Sequence, residues 1–170
     1  GERLALNLVG RMAGIATQTA MVVEEVEAKN PKTRVAATRK TLPGLREFDK
    51  RAVEHGGGDP HRFRLDDCVL IKDNHLELVP SVTEAVKRAR AGISFTKKVE
   101  IEVRSLEDAF EAAEAGADII MFDNITPDET RKWLSELGKR GMREGFIYES
   151  SGGITFENAK EYAAAGVDII

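Results

Sequence analysis

Cysteine is almost missing from this sequence: Cys68 is the only one in 170 residues. A disulfide framework is therefore excluded. Cys68 opens the apolar run Cys68-Val69-Leu70-Ile71, a setting that suits a buried thiol in a reducing compartment, so a cytoplasmic protein is expected. Long apolar stretches are also lacking. No run can cross a bilayer and no signal-peptide pattern is visible, so no membrane partner is expected. An excess of positive charge is lacking as well, and the net charge of -4 argues against general nucleic-acid binding. Lysines and arginines are interleaved with acids except between Arg39 and Lys72. Local positive charge in an acidic protein points to a small anion. What remains, 42% hydrophobic and 32% charged residues, fits one soluble domain with a substantial core, neither fibrous nor disordered.

The chain opens on helical periodicity from Glu2 to Asn30, with Leu4, Leu8, Met12, Ile15 and Thr19 on one face and Gly10, Gly14 and Ala16 allowing close packing. Pro31 marks the stop. The apolar run around Val35 predicts a strand over Arg34–Thr38, Pro43-Gly44 a turn, and Leu45 to about His55 a second helix ended by Gly56-Gly57-Gly58. Next comes a strand over Cys68–Ile71. From there helix and strand alternate. Ser81 with Glu84, Ser105 with Asp108 and Thr126 with Glu129 carry capping-box spacing, the last followed by Pro127 at the favoured first helical position. Gly92, Gly116 and Gly141 stand where a left-handed glycine would close each helix. The strands that follow are expected over Val99–Val103, Asp118–Phe122 and Phe146–Glu149.

An internal repeat supports this parse: Ser105 through Ile120 is echoed by Thr155 through Ile170, and a weaker copy begins at Ser81. Each copy reads as cap, helix, glycine stop and apolar strand, the unit of a parallel α/β barrel. Strands beginning at Arg34, Cys68, Val99, Asp118, Phe146 and Val167 predict an incomplete, TIM-like α/β barrel. A strand at the very end of the sequence leads us to expect a segment of a longer protein that lacks at least one closing unit.

The chemistry gathers at strand ends. Thr38-Arg39-Lys40-Thr41 follows one strand, His61-Arg62 sits in the next loop, and Lys72 with His75 follows the strand after it. Adjacent cations at such positions read as a site for something anionic. In Val99-Glu100-Ile101-Glu102-Val103 the apolar residues must take the outward face beneath helices, so Glu100 and Glu102 point into the barrel. A buried carboxylate is costly unless it is paired or ligates a metal. Asp123, with Asn124 as its orienting neighbour, ends another strand. Glu149-Ser150-Ser151-Gly152-Gly153 leads into a helix expected near Thr155, a loop whose backbone N–H groups could cradle a phosphate.

Taken together, Thr38-Arg39-Lys40-Thr41-Leu42-Pro43-Gly44, His61-Arg62, Ile71-Lys72-Asp73-Asn74-His75, Glu100-Ile101-Glu102-Val103, Asp123-Asn124 and Glu149-Ser150-Ser151-Gly152-Gly153, in this order and spacing, resemble the quinolinate phosphoribosyltransferases. Glu2-Arg3-Leu4-Ala5-Leu6-Asn7 matches as well. The resemblance implies condensation of quinolinate with 5-phosphoribosyl-1-pyrophosphate, aided by Mg²⁺, to nicotinate mononucleotide, pyrophosphate and carbon dioxide in NAD biosynthesis. It implies catalytic roles for Lys40, Lys72, Glu102 and Asp123. Substrate binding would fall to Arg39, His61, Arg62, Lys72, Ser151 and Gly152, and the metal would be held near Glu102 and Asp123. Arg3 matches an arginine that reaches a neighbouring subunit's site, implying a homodimer or hexamer. The family's N-terminal sandwich domain and closing barrel unit would lie outside this chain, which would form the core of the catalytic barrel. Other classes predict different outcomes. A nicotinate-specific transferase or a relative linked to molybdate transport would keep the barrel but depart among Arg39, His61, Arg62 and Lys72, whereas a Schiff-base aldolase would use Lys72 as nucleophile.

Overall fold

In the computed structural model, which describes residues 1–170, a four-stranded parallel sheet organises the chain. Its strands are β1 (Cys68–Ile71), β2 (Lys98–Val103), β3 (Ile119–Asp123) and β4 (Ile147–Ser151), hydrogen-bonded in sequence order. The helices are α1 (Glu2–Glu27), α2 (Arg46–His55), α3 (Asp73–Leu76), α4 (Val82–Ala91), α5 (Leu106–Ala115), α6 (Pro127–Lys139) and α7 (Ala159–Ala165). Parallel neighbours need a crossover, and α4, α5 and α6 lie between successive strands in the chain.

The expected strands at Arg34 and Val167 are shorter than predicted. Beyond β4 the pairing continues through bridges of Ile169 to Glu149 and to Arg34, and then of Ala36 to Asp59. The run from Arg34 stops at Ala37 because the Thr38 hydroxyl turns back to accept the Lys40 N–H at 3.1 Å. The sheet thus curves through seven segments, four of them full strands and three joined only by bridges. No regular ladder joins the Ala36 segment to β1, and the barrel is incomplete.

Register explains which side chains meet. Ile101 pairs with Ile120 and Ile120 with Tyr148, and these outward residues join Ile71, Val99, Val103 and Phe122 in the core beneath the helices. Trp133 of α6 seats edge-on against Phe122 with ring centroids 5.1 Å apart, so Phe122→Ala would open a cavity costing about 3–5 kcal/mol. The alternate residues Glu100, Glu102 and Glu149 take the inner face.

Capping follows the sequence in part. Ser81, Ser105 and Thr126 each accept the expected N–H bond, but only Thr126 with Glu129 forms the reciprocal box. Gly116 closes α5 left-handed at φ 85° and Gly141 has φ 71°, whereas Gly92 keeps φ -92°. In the second copy of the repeat the helix starts four residues after Thr155, because Asn158 turns its side chain back to Thr155 N–H and Gly153 O.

Helix α1 departs most from expectation. It ends at Glu27, Leu4 is exposed, and Gly10 and Gly14 face open space rather than a packed neighbour. The close approach is made lower down, where Gly56 lies against Ala16 and Thr19, and Gly58 against Thr19 and Val53; a Cβ on either glycine would come within 2.8 Å of one of these residues. Helix α2 is thereby locked between α1 and the loops that carry the cations.

Candidate active site

The C-terminal ends of the strands enclose a cavity of about 700 Å³, where residues 37–40 and 61–62 meet β1 to β4. Of the residues to which the resemblance gives a role, Arg39, Lys40, His61, Arg62, Lys72, Glu102, Asp123, Ser151 and Gly152 line it, and Arg3 does not. Arg3 lies in the first turn of α1, exposed and outside this cavity. His75 is also outside; its Nδ1 accepts the Lys72 backbone N–H at 2.9 Å and caps α3, a helix the sequence reading missed.

Period-two alternation stacks the inner face in layers. Glu102, Met121 and Glu149 are register partners, with Asp123 beside Ser151 one layer nearer the strand ends. Lys72 follows β1 and donates to Glu102 Oε1 at 2.9 Å. Arg104 follows β2 and donates through Nε to Asp123 Oδ2 at 2.8 Å, while Asn124 Nδ2 donates to Asp123 Oδ1 at 2.8 Å. Both carboxylates are thus held in place with a cation at the rim. Arg104 was not anticipated, although its place directly after a strand, like that of Lys72, was the available signal.

The two arginines expected to bind carboxylates are steered by backbone. Arg39 Nε donates to Phe63 O at 3.3 Å and Arg62 Nη1 to Cys68 O at 3.2 Å. Cys68 itself is buried, and desolvation pushes its thiol up to about 11, which removes it as a nucleophile.

Beneath the cations lies a buried cluster. His61 Nε2 is 3.4 Å from Glu100 Oε2, Glu100 is 0% exposed, and ligand atoms of His61, Glu100 and Glu149 lie within 4.8 Å of one another. The hydrogen bond to Glu100 raises the His61 pKa. Burial and then repulsion from Glu100 push Glu149 up to about 7, with His61 opposing. Glu100 Oε1 and Glu149 Oε2 have no hydrogen-bond partner, so this cluster lets the cavity floor carry charge only at a cost.

Also on the cavity lining, Gly152 and Gly153 take φ 91° and 65°, a left-handed backbone that glycine adopts without steric cost. A Cβ on Gly152 would stand 2.6 Å from Asn124 Cγ. The expected helix N-terminus is not part of this loop, since α7 begins only at Ala159. The cavity therefore brings together the guanidinium groups of Arg39 and Arg62, a pair of oriented carboxylates and a glycine loop.

A model of the quinolinate phosphoribosyl transferase C-terminal domain matches residues 15–170. The probable nicotinate-nucleotide pyrophosphorylase (carboxylating) of Methanothermobacter thermautotrophicus is 54% identical over 169 residues, 99% of this chain and 61% of that protein. The Homo sapiens nicotinate-nucleotide pyrophosphorylase (carboxylating) is 40% identical over 170 residues, covering all of this chain and 57% of its own length. The crystal structure of NadC from Streptococcus pyogenes superposes with a TM-score of 0.90 at 40% identity, over 99% of this chain and 56% of that one. The chain spans about three fifths of the length of these relatives. It belongs to the quinolinate phosphoribosyltransferase family.

Proposed function

We propose that this chain forms the core of the catalytic barrel of an enzyme that transfers phosphoribose from 5-phosphoribosyl-1-pyrophosphate to quinolinate with loss of carbon dioxide. The carrying observation is the single cavity in which Arg39, His61 and Arg62 face Glu102, Asp123 and the Ser151-Gly152 loop. Quinolinate bears two ring carboxylates, and planar guanidinium groups bind carboxylates through paired hydrogen bonds. Arg39 and Arg62 supply those groups, with His61 beside them. The loop at Gly152 suits the 5'-phosphate of the donor, and Lys40 and Lys72 suit its pyrophosphate.

Phosphoribosyl transfer develops positive charge on the ribose as the bond to pyrophosphate breaks and the acceptor ring nitrogen approaches. Glu102 and Asp123, fixed by Lys72, Arg104 and Asn124, place negative charge where that cation forms. The resulting pyridinium withdraws electrons, so the carboxylate next to the ring nitrogen leaves as carbon dioxide and its carbon takes up a proton. Oxygen donors in this number also fit Mg²⁺, which favours one or two carboxylates plus substrate phosphates over a full protein cage. Glu102 and Asp123 would hold it, and it would neutralise the departing pyrophosphate.

The fold would be completed by an N-terminal sandwich domain and a closing barrel unit outside this chain, a reading supported by the fraction of the relatives' length that it spans. Arg3, exposed on α1 away from its own cavity, suits delivery into a neighbouring subunit's site and hence a homodimer or higher assembly. An aldolase using Lys72 would leave Arg39, Lys40, His61 and Arg62 without a role.

The deciding experiment supplies the full-length protein with quinolinate and 5-phosphoribosyl-1-pyrophosphate, then with nicotinate instead. Quinolinate should give nicotinate mononucleotide with carbon dioxide and pyrophosphate in equal amounts. Nicotinate should react poorly because cations built to pair a second carboxylate would be left unsatisfied. Equal turnover of nicotinate, or pyrophosphate without carbon dioxide, would refute the acceptor assignment.

A further inference from the structure

Helix α2 carries a lysine that no step above uses. Lys50 is 0% exposed, and a fully buried lysine is rare unless its ammonium is satisfied. Its Nζ donates to Ala37 O at 2.7 Å and to Pro60 O. These two carbonyls end the two segments that deliver the cations: Arg39 stands two residues beyond Ala37, and His61-Arg62 directly follows Pro60.

The two segments run parallel. Asp59 N–H donates to Val35 O at 2.7 Å and Ala37 N–H to Asp59 O at 2.9 Å. A regular parallel ladder would continue from His61 N–H to Ala37 O. It stops instead, because His61 takes φ 53° and turns its N–H to Asp59 Oδ1 at 2.6 Å. A positive φ in a residue other than glycine persists only where its surroundings over-determine it, and such strain gathers at functional sites. Ala37 O is left facing inward without its rung, and Lys50 fills that vacancy from behind.

We propose that Lys50 is a positioning residue for the acceptor half of the site: its ammonium replaces the rung that His61 omits and ties Arg39, His61 and Arg62 into one binding surface. The role assigned to that surface rests on the phosphoribosyltransferase reading above. Neighbours on the same helix act alongside it. Arg46 Nη2 donates to Arg39 O at 3.4 Å, and Asp49 Oδ2 accepts the Leu42 N–H at 3.4 Å. Lys50 alone among these three spans both segments. Its cost is visible, since burial and then Arg46 push its pKa down to about 8, with Asp59 offsetting only part. A hydrophobic residue would avoid that penalty but would leave both carbonyls without the donor that joins them.

The test uses the full-length enzyme with Lys50→Met, which keeps side-chain length without a donor, and Lys50→Gln, which keeps two N–H donors without charge. Lys50→Met should raise the quinolinate KM by about tenfold or more while the phosphoribosyl-donor KM stays within about threefold, as expected when only one half of a site loses its geometry. Amide exchange over residues 59–63 should accelerate in the same variant, and Lys50→Gln should restore most of both properties. Unchanged exchange and quinolinate KM in Lys50→Met, equal loss for both substrates, or Lys50→Gln as damaged as Lys50→Met would overturn the proposal. If Lys50→Met does not fold, Lys50→Gln decides: a folded chain with near-normal quinolinate KM supports the donor role, and one that also fails to fold rejects it. Amide exchange needs no substrate, so faster exchange in Lys50→Met alongside a wild-type enzyme inert toward quinolinate would fault the acceptor assignment and leave the Lys50 tether standing.

Discussion

Lys72 Nζ and Glu102 Oε1 stand 2.9 Å apart, joining the residue after β1 to an acid on β2. Each group has a separate use in the proposed donor complex: the ammonium faces phosphate, and the carboxylate faces metal and ribose. Glu102→Gln keeps the shape and removes the charge. It should lower kcat on the order of a hundredfold and raise the Mg²⁺ concentration needed for half-maximal rate, with thermal stability close to wild type. A magnesium titration that superposes on wild type would take Glu102 out of the donor site.

Arg39→Ala and Arg62→Ala should each weaken quinolinate binding by roughly 1.5–3 kcal/mol, the worth of a hydrogen-bonded charged contact. Donor binding should change much less. Calorimetric titration of each substrate measures both, and equal loss for the two would count against a carboxylate-binding role. Arg39→Lys and Arg62→Lys should recover little, because a lysine carries the charge without the paired geometry.

Gly152→Ala places a Cβ on a backbone with φ 91° and 2.6 Å from Asn124 Cγ. Either the loop or Asn124 must move, and Asn124 is the group that donates to Asp123. Strain of this kind costs roughly 1–3 kcal/mol. The donor KM should rise with little change for quinolinate, and adding Asn124→Ala should recover part of the lost stability. No recovery in the double variant would show that Asn124 is not the obstacle.

Glu149 links stability to pH. Its pKa lies near 7 in the fold against an ordinary 4.5, so between these values the folded chain holds a proton that the unfolded chain has released. Stability attributable to this group therefore falls as pH rises through that window. His61 adds a decline at higher pH, since a histidine with a raised pKa contributes most below its ordinary 6.5 and loses that contribution above its folded value. Glu149→Gln should remove the first decline, so its melting temperature should gain on wild type between about pH 4 and about pH 7. A constant difference across that range would mean that Glu149 is not desolvated as described.

Sequence alone determined the alternation of elements and the inner face of β2. Capping signals are local, so Ser81, Ser105 and Thr126 mark helix starts without knowledge of the fold. Strand side chains alternate, so Val99, Ile101 and Val103 had to share one face and Glu100 and Glu102 the other. The cations after strands and the acids on them were legible for the same reason, as was the resemblance that groups Arg39, Arg62 and Lys72. Tertiary structure alone decided how these groups constrain one another. Arg104 completes the Asp123 anchor only because β2 and β3 are neighbours, and Glu149 of β4 meets His61 only because a loop far away in sequence comes to the same cavity. Lys50 reads as an ordinary lysine on a short amphipathic helix. Its burial, and the interrupted ladder that it mends between Ala37 and Pro60, arise from packing α2 against two separate loops, an event with no local signature in the chain.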